Sequence, residues 1–126
     1  AMGADAVSIG SAAMMALNCN ADLYVEDYKK LGTEPGYCHH CHTGKCPVGV
    51  ATQDPELEKR LNPIEAGKRI KNYLTTLTLE LQTLARANGK SDVRNLEPED
   101  LAALTVEAAA MARVPLAGTD WIPGKK

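Results

Sequence analysis

The sequence predicts part of a larger α/β fold: one short strand, then a cysteine-rich loop, then mainly helix. Three observations point there. Ala6-Val7-Ser8-Ile9 is partly β-branched, lies between Gly3 and Gly10, and reads as one buried strand. A single strand makes no sheet, so its partners must lie outside these residues. The apolar content leans on Ala and Leu, with no Phe and one Trp, Trp121, so little aromatic surface is available to build a self-sufficient core.

Composition narrows the function classes. The chain has 126 residues, the size of one domain, with 14 Lys and Arg against 16 Asp and Glu and a net charge of −2. No long basic tract offers a nucleic-acid surface. No apolar run is long enough to span a bilayer, and no charged-then-apolar leader is visible at the start, so a cytoplasmic location is expected and no membrane partner. In that compartment thiols stay reduced, and clustered cysteines point to a metal or redox centre before disulfides.

The elements follow in order. After the strand, Gly10-Ser11 makes a turn and Ser11 is expected to cap a helix with the body "AAMMAL". From Asn18 to Tyr37 the pattern breaks into a polar surface excursion, with a short helix expected within Asp22 to Leu31. Pro63 to Asn88 carries a strong helical signal. Ile70, Leu74, Leu77, Leu81 and Leu84 form a stripe read as core packing, Asn62 is placed to cap with Pro63 at the first position, and Gly89 stops the helix. A second helix is expected from Pro98 to Arg113, with Leu101, Leu104, Ala108 and Met111 near one face. The tail is rich in Pro and Gly, and Trp121 is its only large anchor.

The chemistry concentrates in "CHHCHTGKCPVGVATQ". Cys38, Cys41 and Cys46 have the spacing C-x2-C-x4-C, followed by Pro47. Soft thiolates select zinc or iron–sulfur clusters. A short cysteine loop closing in Cys-Pro is a habit of iron–sulfur ligation, and Gly44 and Gly49 free the backbone to wrap around a cluster. Three thiolates suit a three-iron cluster, and a four-iron cluster needs a fourth ligand, for which Cys19 is the only other cysteine. Zinc is the rival reading, with His39, His40 or His42 completing the three thiols. Spacing alone prefers iron–sulfur, with zinc second and unliganded thiols last.

The stretch "CHTGKCPVGVATQDPEL", Cys41 to Leu57, closely resembles the cluster loop of glutamate synthase large subunits and their relatives. "GADAVSIGSAAMMALNC" ahead of it resembles the strand, turn and helix that precede that loop in the family. The likeness covers residues 1 to about 60 well, and the helix from Pro63 is compatible. It implies a (β/α)8 barrel that binds FMN beside a 3Fe-4S cluster, with this chain as its C-terminal part from the eighth strand onward. It also implies that Gly10 and Ser11 contact the FMN phosphate, since loops after the last barrel strands often bind phosphate. The segments that follow are 1–17 (strand, turn and helix), 18–37 (inserted connection), 38–62 (cluster loop) and 63–126 (helical region and tail).

One departure bears on the cluster. In the family the first cluster cysteine follows the helix directly. Here the helix ends at Cys19, and Asn20 to Tyr37 intervene before Cys38. Either cysteine can take the first-ligand role. Cys38 is preferred, because only two residues separate it from Cys41 and no long loop must close. Cys19 is the alternative or a fourth ligand, and 3Fe-4S is favoured over 4Fe-4S. The resemblance further implies electrons passing through the cluster to FMN and reduction of 2-iminoglutarate to glutamate. No residue of this chain acts as a catalytic group. The partners implied are the remainder of the barrel, an amidotransferase domain or subunit, and an electron-donating subunit or ferredoxin. A relative making N-methylglutamate is the alternative within the family, and a non-catalytic zinc-stapled helical interaction module is the alternative outside it.

Overall fold

Residues 1–125 are described by a computed structural model. In chain order the α-helices are α1 (Ser11–Ala16), α2 (Val25–Lys30), α3 (Pro55–Glu58), α4 (Pro63–Ala87) and α5 (Val106–Ala112). Short 3-10 turns at Asp22–Tyr24, Cys41–Thr43, Val93–Asn95 and Pro98–Asp100 join them. No strand forms among the described residues, and the sole bridge is a parallel one between Ala103 and Leu116. The strand expected at Ala6–Ile9 is therefore not formed: this segment pairs with nothing, and Val7 is 78% exposed. The reason is topological, because a strand exists only through the ladder it makes with a neighbour.

The contacts divide the chain into two compact units. One is Ser8–Thr76; the other joins Ala1–Val7 to Leu77–Lys126.

In the first unit α1 begins differently from expectation. Gly10 is the cap residue, with φ +48 and ψ −125, and Ser11 is the first helical residue rather than the cap. Only glycine adopts that backbone without strain. The helix stops after six residues, where Asn18 turns left-handed (φ +75). There the N–H of Asn18 donates to the carbonyl of Met15 at 2.8 Å and that of Cys19 to Met14 at 3.2 Å, which satisfies two otherwise free helix carbonyls.

The excursion does more than cross the surface. Its helix α2 appears within the expected span, and Tyr28 on it has no exposed surface. Tyr28, Cys46 and Val48 form the buried cluster of this unit, with Cys19, Ala21, Tyr24, Cys38, Val50 and Ala51 packed around it. Arg60 ties the pieces together. Its Nη1 donates to Asp27 Oδ2 and to the carbonyl of Pro47, each at 2.8 Å, and its guanidinium lies 4.3 Å over the Tyr24 ring. Gly49 is obligatory at its place: φ is +79, and a Cβ there would collide with the carbonyl oxygen of Leu57.

Helix α4 has the ends the sequence predicts. Asn62 Oδ1 accepts from the N–H groups of Ile64 (3.1 Å) and Glu65 (3.2 Å). At the other end Gly89 is left-handed (φ +70), its N–H donates to Arg86, and that of Lys90 donates to Ala85. The stripe along α4 does not become core. Ile70 and Leu77 are half-buried, while Leu74, Leu81 and Leu84 stay exposed, and the buried residues of the helix are Ala66 and Ala85. Helical periodicity reports a face suited to burial and says nothing of what covers it.

The second unit has a core of small residues, Ala103, Ala109 and Val114, with Leu101, Ala112 and Leu116 against it. The helix expected from Pro98 to Arg113 is a correction. Pro98–Asp100 is a closed turn whose Asp100 carboxylate accepts from the N–H of Glu97, and the chain then runs extended through Leu101. The helix starts only at Val106, with the Thr105 hydroxyl accepting from the N–H of Ala108. As a result Leu104 and Met111, expected on one face, are 87% and 86% exposed. Trp121 does not anchor the tail by its ring, which is half-exposed; its carbonyl accepts from the N–H of Leu116 at 3.0 Å. Among the described residues no helix is long and apolar enough to cross a membrane.

Candidate metal centre

The loop from Cys38 to Ala51 is shaped by its own short turns. Thr43 donates its hydroxyl to the carbonyl of His40 (2.8 Å) and accepts from the N–H of Lys45 (3.2 Å), which rounds the 3-10 turn Cys41–Thr43. Gly44 then turns left-handed (φ +72), and the Thr52 hydroxyl donates to its carbonyl and closes the loop. Pro47, Val48 and Gly49 are buried beneath it, so the loop sits on a firm floor.

This folding brings all four cysteines to one small cavity of about 30 Å³, lined by Cys19, Cys38, Cys41, Cys46, His40 and Met14 with Pro47, Val50 and Ala51. Cys46 is buried, Cys19 and Cys38 are half-buried, and Cys41 is at the exposed rim. No two of them are joined in a disulfide. Eighteen residues separate Cys19 from Cys38 in the chain. The structure closes that length through Tyr28, whose hydroxyl donates to the carbonyl of Cys19 at 2.8 Å.

The histidines separate. His40 is on the cavity wall, while His39 and His42 are not among its lining. The rings of His39 and His40 stack at 5.0 Å and those of His40 and His42 at 6.3 Å, and His39 Nδ1 lies 3.2 Å from the carbonyl of Tyr37. Among the described residues no three His, Cys, Asp or Glu side chains are arranged about a single metal ion. Ligands on one tetrahedral zinc stand about 3.8 Å apart, as bonds near 2.3 Å require. Thiolates on different irons of a cluster stand farther apart.

Electrostatics describe the same convergence. Burial pushes the Cys19 thiol above its ordinary value, and the charges of Cys41, Cys46 and Cys38 add to the rise. Tyr28 is pushed up to about 12, first by burial and then by Cys38, Cys46 and Cys19. Several negative thiolates around one space repel each other until a cation-bearing group enters between them. Ligation then releases their protons and turns repulsion into attraction. The donor set thus fits a metal cluster. The cavity as it stands has room for about two waters at most, so the loop must spread to admit one.

Gly10 and Ser11 are not among the residues lining this cavity; they stand at the start of α1, exposed to solvent, with open space where a Cβ of Gly10 would point. Tyr28 and Arg60 are the residues sequence reasoning missed. Tyr24, Tyr28 and Leu31 recur at helical spacing in an otherwise polar stretch, and that small stripe was the available signal.

Residues 1–91 match the family described as the conserved region in glutamate synthase. The chain belongs to the glutamate synthase family. Among members of that family it is 61% identical over 125 residues to a glutamate synthase large subunit-like protein of Rhizobium meliloti. It is 40% identical over 96 residues to the archaeal glutamate synthase (NADPH) of Methanocaldococcus jannaschii, and 38% over 96 residues to the archaeal-type glutamate synthase (NADPH) of Dehalococcoides mccartyi. These matches cover 99%, 76% and 76% of this chain. It spans only 28% of the length of the first relative and 16% of each of the other two. No solved structure matches it.

Proposed function

We propose that this chain is the iron–sulfur part of a glutamate synthase-type flavin oxidoreductase, which reduces 2-iminoglutarate to glutamate. The observation that carries the reading is the convergence of Cys38, Cys41 and Cys46 on one cavity, in a chain of this family. When bound, the cluster passes single electrons and FMN delivers hydride to the substrate carbon–nitrogen double bond.

The chain's own residues have supporting tasks. The thiolates of Cys38, Cys41 and Cys46 hold the cluster and act as ligands, not nucleophiles. Met14, Pro47, Val50 and Ala51 supply apolar wall that lowers the local dielectric and limits water, which tunes a cluster's potential. Gly10 lets the backbone approach the FMN phosphate, and Ser11 adds an N–H and a hydroxyl there. The isoalloxazine ring and the substrate are held by residues of the larger protein, whose fold we propose is a (β/α)8 barrel. An amidotransferase part and an electron-donating subunit or ferredoxin complete the system. Membership of the glutamate synthase family favours this reading over a zinc-stapled module.

The test is made in the full-length subunit. Cys38, Cys41 and Cys46 are each replaced by Ser, and iron and acid-labile sulfide are measured per flavin. Each replacement is expected to lower both sharply while flavin content holds. Full iron in all three variants sinks the assignment, and colourless protein containing zinc points to the structural module instead.

A further inference from the structure

Resting on the cluster reading above, we propose that Arg60 is a positioning residue for the cluster. It fixes the Cys46–Pro47 end of the loop and holds a positive charge beside the metal site, which raises the cluster's reduction potential, and Asp27 is its counterweight.

Four observations carry this. Pro47 follows Cys46 in the chain and lines the cavity, and it is fully buried, so its carbonyl must find a donor within the protein. Arg60 Nη1 is that donor, at 2.8 Å. The same Nη1 donates to Asp27 Oδ2 at 2.8 Å, from a side chain only 26% exposed. The Tyr24 ring covers the guanidinium at 4.3 Å. The backbone favours the arrangement too. A Cβ on Gly49 would strike the carbonyl of Leu57, so the turn that carries Arg60 lies directly against the end of the loop. The Arg60 N–H closes that turn on the Leu57 carbonyl at 3.0 Å.

Electrostatics give the sign. Each reduction adds one negative charge to a cluster, and a fixed positive charge nearby favours the reduced form. Cover by Tyr24 keeps water from screening that charge on one side. Asp27 opposes it. Hydrogen bonds from Lys30 and then Arg60 hold its carboxyl below the usual carboxylate range, so it is ionised at neutral pH. The stretch Asn20 to Tyr37 thereby has a task, since it brings Asp27 and Tyr24 to the guanidinium. Substituting either partner breaks the same ion pair. A merely structural role of the pair would move the potential the same way in both variants, whereas a charge role moves it in opposite directions.

The experiment uses the full-length subunit with Arg60→Met, Arg60→Lys and Asp27→Asn as variants. The cluster's midpoint potential is measured by redox titration followed by electron paramagnetic resonance, and the loss of iron to a chelator is timed. Arg60→Met is expected to lower the potential and Asp27→Asn to raise it. Arg60→Lys keeps the charge without the planar fork. It is expected to stay near the parent potential but to lose iron about tenfold faster, the order by which partners behind metal ligands change affinity. Shifts of one sign in Arg60→Met and Asp27→Asn, or a missing shift in either, overturn the inference. Iron loss from Arg60→Lys at the parent rate does so as well. If Arg60→Met keeps no cluster, Asp27→Asn decides: a raised potential supports the proposal, and an unchanged or lowered one overturns it. Absence of acid-labile sulfide from the parent removes the cluster reading and this inference with it. A sound cluster without opposed shifts removes only the role of Arg60.

Discussion

Tyr28 joins the fold to the site with a single phenol. It is fully buried, it donates to Cys19, and its ionisation is held up to about 12. Burial is the larger cause, and the negative thiolates nearby add to it. An unfolded tyrosine ionises near 10, so between these values the folded metal-free chain keeps a proton that the unfolded chain has lost. Stability is full below about pH 10 and falls as pH rises toward about 12. A urea series followed by circular dichroism at several alkaline pH values should show the midpoint dropping across that window. In Tyr28→Phe this part of the decline should vanish. A midpoint that is flat over the window in the parent would mean that the phenol ionises freely. The hydrogen bond was not legible in the sequence, and the burial had only the small stripe of Tyr24, Tyr28 and Leu31 to report it, in a stretch that reads as a surface excursion. The cysteines were legible, because their spacing is a local chemical pattern. What brings Cys19 to them is a contact nine residues away in sequence, and local patterns do not report such closures.

At the scale of elements, helix ends were more readable than helix faces. The cap and stop of α4 depend on side chains within a few residues of the end, and both are found as expected. Replacing the cap, Asn62→Ala, leaves the N–H groups of Ile64 and Glu65 without their acceptor and should cost about 1 kcal/mol. The expected readout is a lower urea midpoint with an unchanged slope, and Asn62→Asp should restore most of it. No loss in Asn62→Ala would show that water serves those groups as well as the amide does. The start of α5 was misplaced because two start signals compete. Glu97, Pro98 and Asp100 close a turn of their own, and only Thr105 opens the helix. The stripe on α4 was located and its partner was not, since burial is a property of two surfaces and the sequence displays one.

For the whole molecule the limiting fact is what one strand-forming segment can do alone. Ala6–Ile9 remains unpaired, with Val7 and Ile9 exposed. A barrel site draws its groups from the ends of several strands, and this chain has one candidate. Titration of the isolated 126-residue chain with FMN, followed by flavin fluorescence or heat, should therefore show no stoichiometric binding. Micromolar or tighter association would mean that the flavin site is complete within these residues, and the proposal that it belongs to a larger barrel would have to be withdrawn. The broad α/β class was expected from a segment that pairs with no strand among the described residues, which is why the resemblance to the family, not the periodicity, carried the expectation of a barrel.

Cys46 is buried while Cys41 stands at the rim, and this asymmetry bears on durability. Dioxygen, chelators and peroxide all arrive from solvent, so in the proposed cluster the corner at Cys41 would meet them first and the corner at Cys46 last. The same rim would be the way in for the proposed electron donor, because a one-electron carrier must also come close to the metal. Speed of reduction and survival in air thus draw on one opening. A bulkier residue beside Cys41 that lengthened the life of the brown protein on the bench would be expected to slow its reduction as well.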